Sequence, residues 1–89
     1  MNLETTVHIW KEGGQYVAHA MPLDVMSSGS TPESARLALD EAVRAFLLTA
    51  ADAGTLEQVL EESGYERHGD QWLSPNFVAL ERHELAVSV

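Results

Sequence analysis

Residues 16–47 read YVAHAMPLDVMSSGSTPESARLALDEAVRAFL: a β-rich run, a loop of small residues, then a capped amphipathic helix. Thr31 suits the N-cap, Pro32 the first helical position, where no N–H is needed, and Glu33 the positive end of the helix dipole. From there Ala35, Ala38, Leu39, Ala42, Val43, Phe46 and Ala50 recur at helical spacing and predict one inward face on a helix reaching about Asp52. Arg36, Asp40 and Arg44 mark the wet face at intervals of four, a spacing that allows an Arg36–Asp40–Arg44 ion-pair ladder. Leu47 and Leu48 widen the apolar stripe and are assigned to a contact with a second helix.

Towards the N-terminus, TVHIWKE and QYVAHAM flank Gly13-Gly14, a dipeptide suited to a two-residue hairpin turn. Pairing Glu12 with Gln15 sets Lys11 against Tyr16, Trp10 against Val17, Ile9 against Ala18 and His8 against His19. Val7, Ile9, Tyr16, Ala18 and Ala20 then form a bed for the helix, while His8, Trp10, Val17 and His19 share the opposite face. A third strand is expected within LDVMSS, ending at Gly29.

Towards the C-terminus, Gly54 ends the first helix, and Thr55-Leu56-Glu57-Gln58 has the capping-box pattern for a second over about Leu56–Ser63, with Val59 and Leu60 inward. A turn at His68-Gly69-Asp70, a strand at Gln71–Leu73 and a Pro75-Asn76 turn follow. Leu85, Val87 and Val89 alternate with Glu84, Ala86 and Ser88, the period-two pattern of a half-buried strand. No repeat or low-complexity linker divides the chain, so residues 1–89 read as a single α+β domain.

Fourteen acidic residues against five basic ones give a formal charge of -9, and Lys11, Arg36, Arg44, Arg67 and Arg82 are scattered. Such a surface repels phosphate backbones and suits a basic protein partner, so no direct nucleic-acid binding is expected. Trp10 and Trp72 have no cationic groove beside them in sequence, which assigns them to packing rather than base stacking. The loop from Ser27 to Thr31 has neither a GxxxxGK[ST] nor a GxGxxG pattern and reads as a turn with a helix cap. There is no cysteine, hence no disulfide or thiolate metal site. The opening MNLETTVHIW has no basic region leading into an apolar run, and no later run is long enough to span a membrane, so a cytoplasmic protein is the expectation.

The segment Tyr16–Leu47 resembles the HicB family of type II antitoxins: Tyr16-Val17-Ala18, Pro22-Leu23, Ser28-Gly29-Ser30-Thr31, Glu33-Ser34-Ala35, and Glu41-Ala42 leading to Leu47 follow that family's pattern. The resemblance extends over the tail from Gly54 to Val89, which is similar to compact HicB-like proteins without a DNA-binding domain. It implies a partial ribonuclease-H-like β-β-β-α core with a short second helix and C-terminal strands, self-association as a dimer or larger oligomer, and binding of a HicA-type toxin, a small basic ribonuclease that cleaves mRNA. The expected partner-binding residues are His8, Trp10, Val17 and His19 on the ribbon and the acidic Glu61, Glu62 and Glu66. An orphan oligomeric binding module of the same fold, with no toxin partner, is the alternative.

Catalysis is not expected. Metal-dependent nucleases of ribonuclease-H-like architecture carry a carboxylate in the middle of the first strand, where this chain offers only Thr, Val, His, Ile and Trp between Thr5 and Lys11. Asp24, Asp40 and Glu41 are explained as a loop acid and a solvated helix face. The stretch LEESGYERHGDQW has the outline of a toxin catalytic turn, but Gln71 stands where that chemistry needs a general base. His8 and His19 supply two nitrogens to a hypothetical zinc, and a third ligand would have to come from His83 or Glu84, so neither a metal nor another cofactor is expected.

Overall fold

The computed structural model describes residues 1–89. Its elements in chain order are β1 (Asn2–Leu3), β2 (Thr6–Glu12), β3 (Gln15–Met21), β4 (Val25–Gly29), α1 (Pro32–Asp52), α2 (Leu56–Glu62), β5 (Glu66–His68) and β6 (Gln71–Leu73). The architecture is mixed α+β, with antiparallel strands in the order β2-β3-β4 and a second small sheet in the order β1-β6-β5.

The β2–β3 hairpin has the expected register, Glu12 opposite Gln15 and His8 opposite His19. Gly13 turns the chain at φ +61°, a conformation that costs a residue without a side chain nothing. The alanines of β3 let α1 lie close over the sheet, and Ala18, Ala20, Ala35 and Leu39 form the first core cluster, flanked by Ile9, Tyr16, Val25 and Val43. Close approach is needed again where β4 enters the helix: a Cβ on Gly29 would stand 2.4 Å from Ser34 Oγ and 2.6 Å from the Ala35 nitrogen. Thr31 caps α1 as expected, but Ser34 completes the capping box: the Ser34 N–H donates to Thr31 Oγ1 and the Thr31 N–H to Ser34 Oγ, each at 3.0 Å.

The second core cluster joins Leu23, Leu60, Tyr65 and Trp72, with Leu3, Val25, Val43, Leu47 and Leu56 packed against it. Two strands there, Asn-Leu and Glu-Arg-His in sequence, escape the sequence reading because neither contains a β-branched residue, Phe, Tyr or Trp: β1, which pairs in parallel with β6, and β5, which forms a hairpin with β6. Glu4 and Thr5 alone separate β1 from β2, so β6 lies alongside the start of the extended segment that continues as β2. The Tyr65 hydroxyl donates to the Glu4 main-chain carbonyl at 2.5 Å. Burial, with the Glu4 carboxylate as the smaller cause, pushes this phenol up from 10.0 to about 12. A raised acid pKa favours the folded state while the phenol is protonated; that contribution is complete below pH 10.0 and is lost as pH rises through about 12. Tyr65→Phe is expected to be less stable than the parent at neutral pH, with the gap closing over this alkaline limb in urea titrations; a constant gap would refute the assignment.

Several sequence expectations are corrected. Thr55 makes no side-chain cap at α2, because its hydroxyl instead donates to the Ala50 carbonyl at 3.3 Å. Arg36, Asp40 and Arg44 form no ion pair; three solvated side chains gain little from fixing one another. Leu47 reaches the second cluster, but Leu48 remains 61% exposed because α1 lies mainly over β3 and β4 and leaves its β2 flank open, and Phe46, about 200° further round the helix, is also exposed. The terminal strand is absent: residues 74–89 form no element, Leu85 and Val87 are 76% and 65% exposed, and Val89 is fully exposed. Alternation supplies a face, but no edge within the chain receives it.

A candidate protein-binding face

The hairpin register brings His8, Trp10, Val17 and His19 together on the side of the sheet away from α1. The β3–β4 pairing adds Met26 opposite His19, and the turn before β4 adds Asp24. His8 Nε2 and His19 Nδ1 lie 2.7 Å apart, and His19 Nε2 lies 2.5 Å from Asp24 Oδ1. The two imidazole centroids lie 4.8 Å apart with the ring planes 26° from parallel, and Trp10 meets His8 edge-on at 5.3 Å and His19 at 6.3 Å.

This chain of contacts orders the protons. A carboxylate only accepts, so His19 Nε2 carries a hydrogen; with both rings neutral, His19 Nδ1 is an acceptor, His8 Nε2 is its donor, and His8 Nδ1 is left with a free lone pair. One added proton fits on the pair without breaking the contact, whereas two would set N–H against N–H. The result is an ordered polar strip ending in an acceptor beside an aromatic ring.

Trp10 is 39% exposed and Met26 is exposed as well, so no segment of the chain seals this face. Large apolar side chains beside oriented polar groups are the composition of protein-binding surfaces. From sequence Asp24 reads only as a loop acid. Its backbone sits at φ +61°, an aspartate-tolerant conformation that carries the carboxylate back over His19, and no periodicity signals such a turn.

The other expected partner residues occupy different elements. Glu61 and Glu62 are exposed on α2 and Glu66 is exposed on β5, with Glu62 Oε1 accepting from Gln58 at 3.1 Å and Glu66 Oε2 lying 3.4 Å from His68 Nε2. No hydrogen bond or ion pair links them to the ribbon, so the structure holds two separate candidate surfaces. No family model matches this chain, and no curated protein or solved structure gives a significant match.

The chemistry available to the site follows from these placements. No group of three His, Asp or Glu side chains is arranged to hold a metal ion; His8 and His19 face each other, and His83 and Glu84 lie on the exposed tail. Asp24 is engaged with His19, while Asp40 and Glu41 are exposed on α1. No helix is long and apolar enough to cross a membrane.

Proposed function

We propose that this chain is a HicB-like antitoxin that binds a HicA-type toxin and occludes the surface with which that toxin holds or cleaves mRNA. The observation that carries the reading is the open ribbon face, where Trp10, Met26 and the Asp24–His19–His8 strip are presented by a protein of charge -9. A basic RNA-binding partner is attracted by such a field and gains an aromatic anchor beside an oriented acceptor. The strand arrangement gives further support. With β6 parallel to the start of the β1–β2 segment and β3 and β4 beyond β2, the order agrees with a partial ribonuclease-H-like core. In this reading the protein is cytoplasmic, not an enzyme, and self-associating.

The decisive experiment is co-expression with the small protein encoded beside the gene, scoring growth rescue and co-purification. Rescue with a stable complex supports the antitoxin; a harmless neighbour that forms no complex returns the protein to an orphan binding module. Incubating the purified chain with labelled RNA and magnesium or manganese tests the non-enzymatic part, and cleavage would refute it.

Trp10→Ala is expected to weaken toxin binding by about 2 kcal/mol, or roughly 30-fold in Kd, while leaving the circular dichroism unchanged. Neutralising Glu61, Glu62 and Glu66 together should instead slow association and flatten its salt dependence if the toxin docks there. Calorimetry on both variants assigns the surface.

A further inference from the structure

The tail leaves the body with unsatisfied chemistry. No hydrogen bond or ion pair ties residues 76–89 to the remainder of the chain, although six of them, Phe77, Val78, Leu80, Leu85, Val87 and Val89, are large exposed apolar residues. The radius of gyration is 15.3 Å, against about 12 Å for a compact chain of this length. Elsewhere, a groove of about 430 Å³ opens between β2 and α1, with Leu3, Val7, Leu47 and Leu48 in its walls and Asp40 and Arg44 at its polar part. The outer edge of β2 pairs with no strand along Thr6–Glu12, so its main-chain donors and acceptors are free.

We infer that the tail of a second copy of this chain docks here, adding a strand to the outer edge of β2 and lowering Leu85, Val87 and Val89 into the groove. The fit is one of period and volume. An added strand directs alternate residues towards α1, and a cavity of about 150 Å³ already holds a benzene ring, so the groove has room for two or three aliphatic side chains. In extended conformation Glu81 shares the face of Leu85, and Arg44, which has no ion-pair partner in the chain, meets it with opposite charge.

The geometry of the tail's root favours a second copy over the same one. Pro75 lacks the N–H needed to carry the β6 ladder onward, and it packs beside Gly64, whose added Cβ would stand 3.3 Å from Pro75 Cγ. Within its own chain the segment from Phe77 to Val89 leaves the sheet after Pro75 and lies exposed, while β2 pairs only with β3. Reciprocal exchange about a two-fold axis fills both grooves and leaves no tail over.

This inference rests on the self-association in the proposed function and is independent of the toxin. Light scattering on the full chain is expected to give twice the 9.8 kDa monomer mass, and Leu85→Asp with Val87→Asp the monomer mass with unchanged circular dichroism, since both positions lie outside the core clusters. The chain has no cysteine, so Leu48→Cys with Val87→Cys should yield, on mild oxidation, a disulfide-linked dimer. A monomeric parent would overturn both the inference and self-association. A dimer that survives the aspartates leaves self-association standing and rejects this interface, and a disulfide closed within one chain rejects exchange.

Discussion

Trp72→Ala is expected to lower the stability of the fold by about 3–5 kcal/mol, the range for removing a large buried aromatic side chain. Trp72 is buried with Leu23, Leu60 and Tyr65, and the Arg67 guanidinium lies 5.8 Å from its ring centroid. Its main chain holds the small sheet together as well: Trp72 is paired with Leu3 on one side and Arg67 on the other, and its carbonyl accepts from the Glu4 N–H at 3.1 Å. Strands of two or three residues have too few ladder bonds to persist without the side chains that pin them. Urea unfolding followed by circular dichroism measures the loss, and amide exchange should show the greatest acceleration in β1, β5 and β6. A loss under about 1 kcal/mol would mean that this cluster does not stabilise the fold as its burial implies.

Leu39→Ala is expected to cost about 2–5 kcal/mol. Leu39 is 1% exposed and is the one large side chain in a cluster otherwise made of Ala18, Ala20 and Ala35. Those alanines bring helix and sheet together, and for the same reason they cannot extend to fill the space a missing leucine leaves. Leu39→Met, which nearly conserves volume and helix propensity, should cost less than about 1.5 kcal/mol, and because alanine is the better helix former the larger loss in Leu39→Ala is assigned to the void. Loss of exchange protection is expected along α1 and β3 here, and a pattern identical to that of Trp72→Ala would show that the two clusters open as one unit.

Much of the candidate face could be read from the chain. Gly13-Gly14 and the alternation on both sides of it are local signals, and they place His8 opposite His19 and Trp10 opposite Val17, as found. The contribution of Asp24 could not be read in the same way, since it depends on a turn conformation three residues beyond β3 and on a contact to His19 five residues back. Met26 joins the face through the β3–β4 register, which a loop of uncertain length conceals from sequence.

The sequence by itself determined the elements governed by neighbouring residues: the hairpin register, the start of α1 at Pro32 after the Thr31 cap, and its end at Asp52 near Gly54. Hydrogen-bonding periodicity and turn chemistry act over a few residues, so composition and spacing carry them. Tertiary structure alone decided which apolar residues find cover. The stripe on α1 is wider than the sheet beneath it, so Leu39 is buried and Leu48 is not; β1 and β6 pair because Trp72 packs with Leu60 and Tyr65; and Leu85, Val87 and Val89 alternate like a strand yet pair with no edge of their own chain. Burial depends on what stands opposite, and long-range partners leave no periodic trace in sequence.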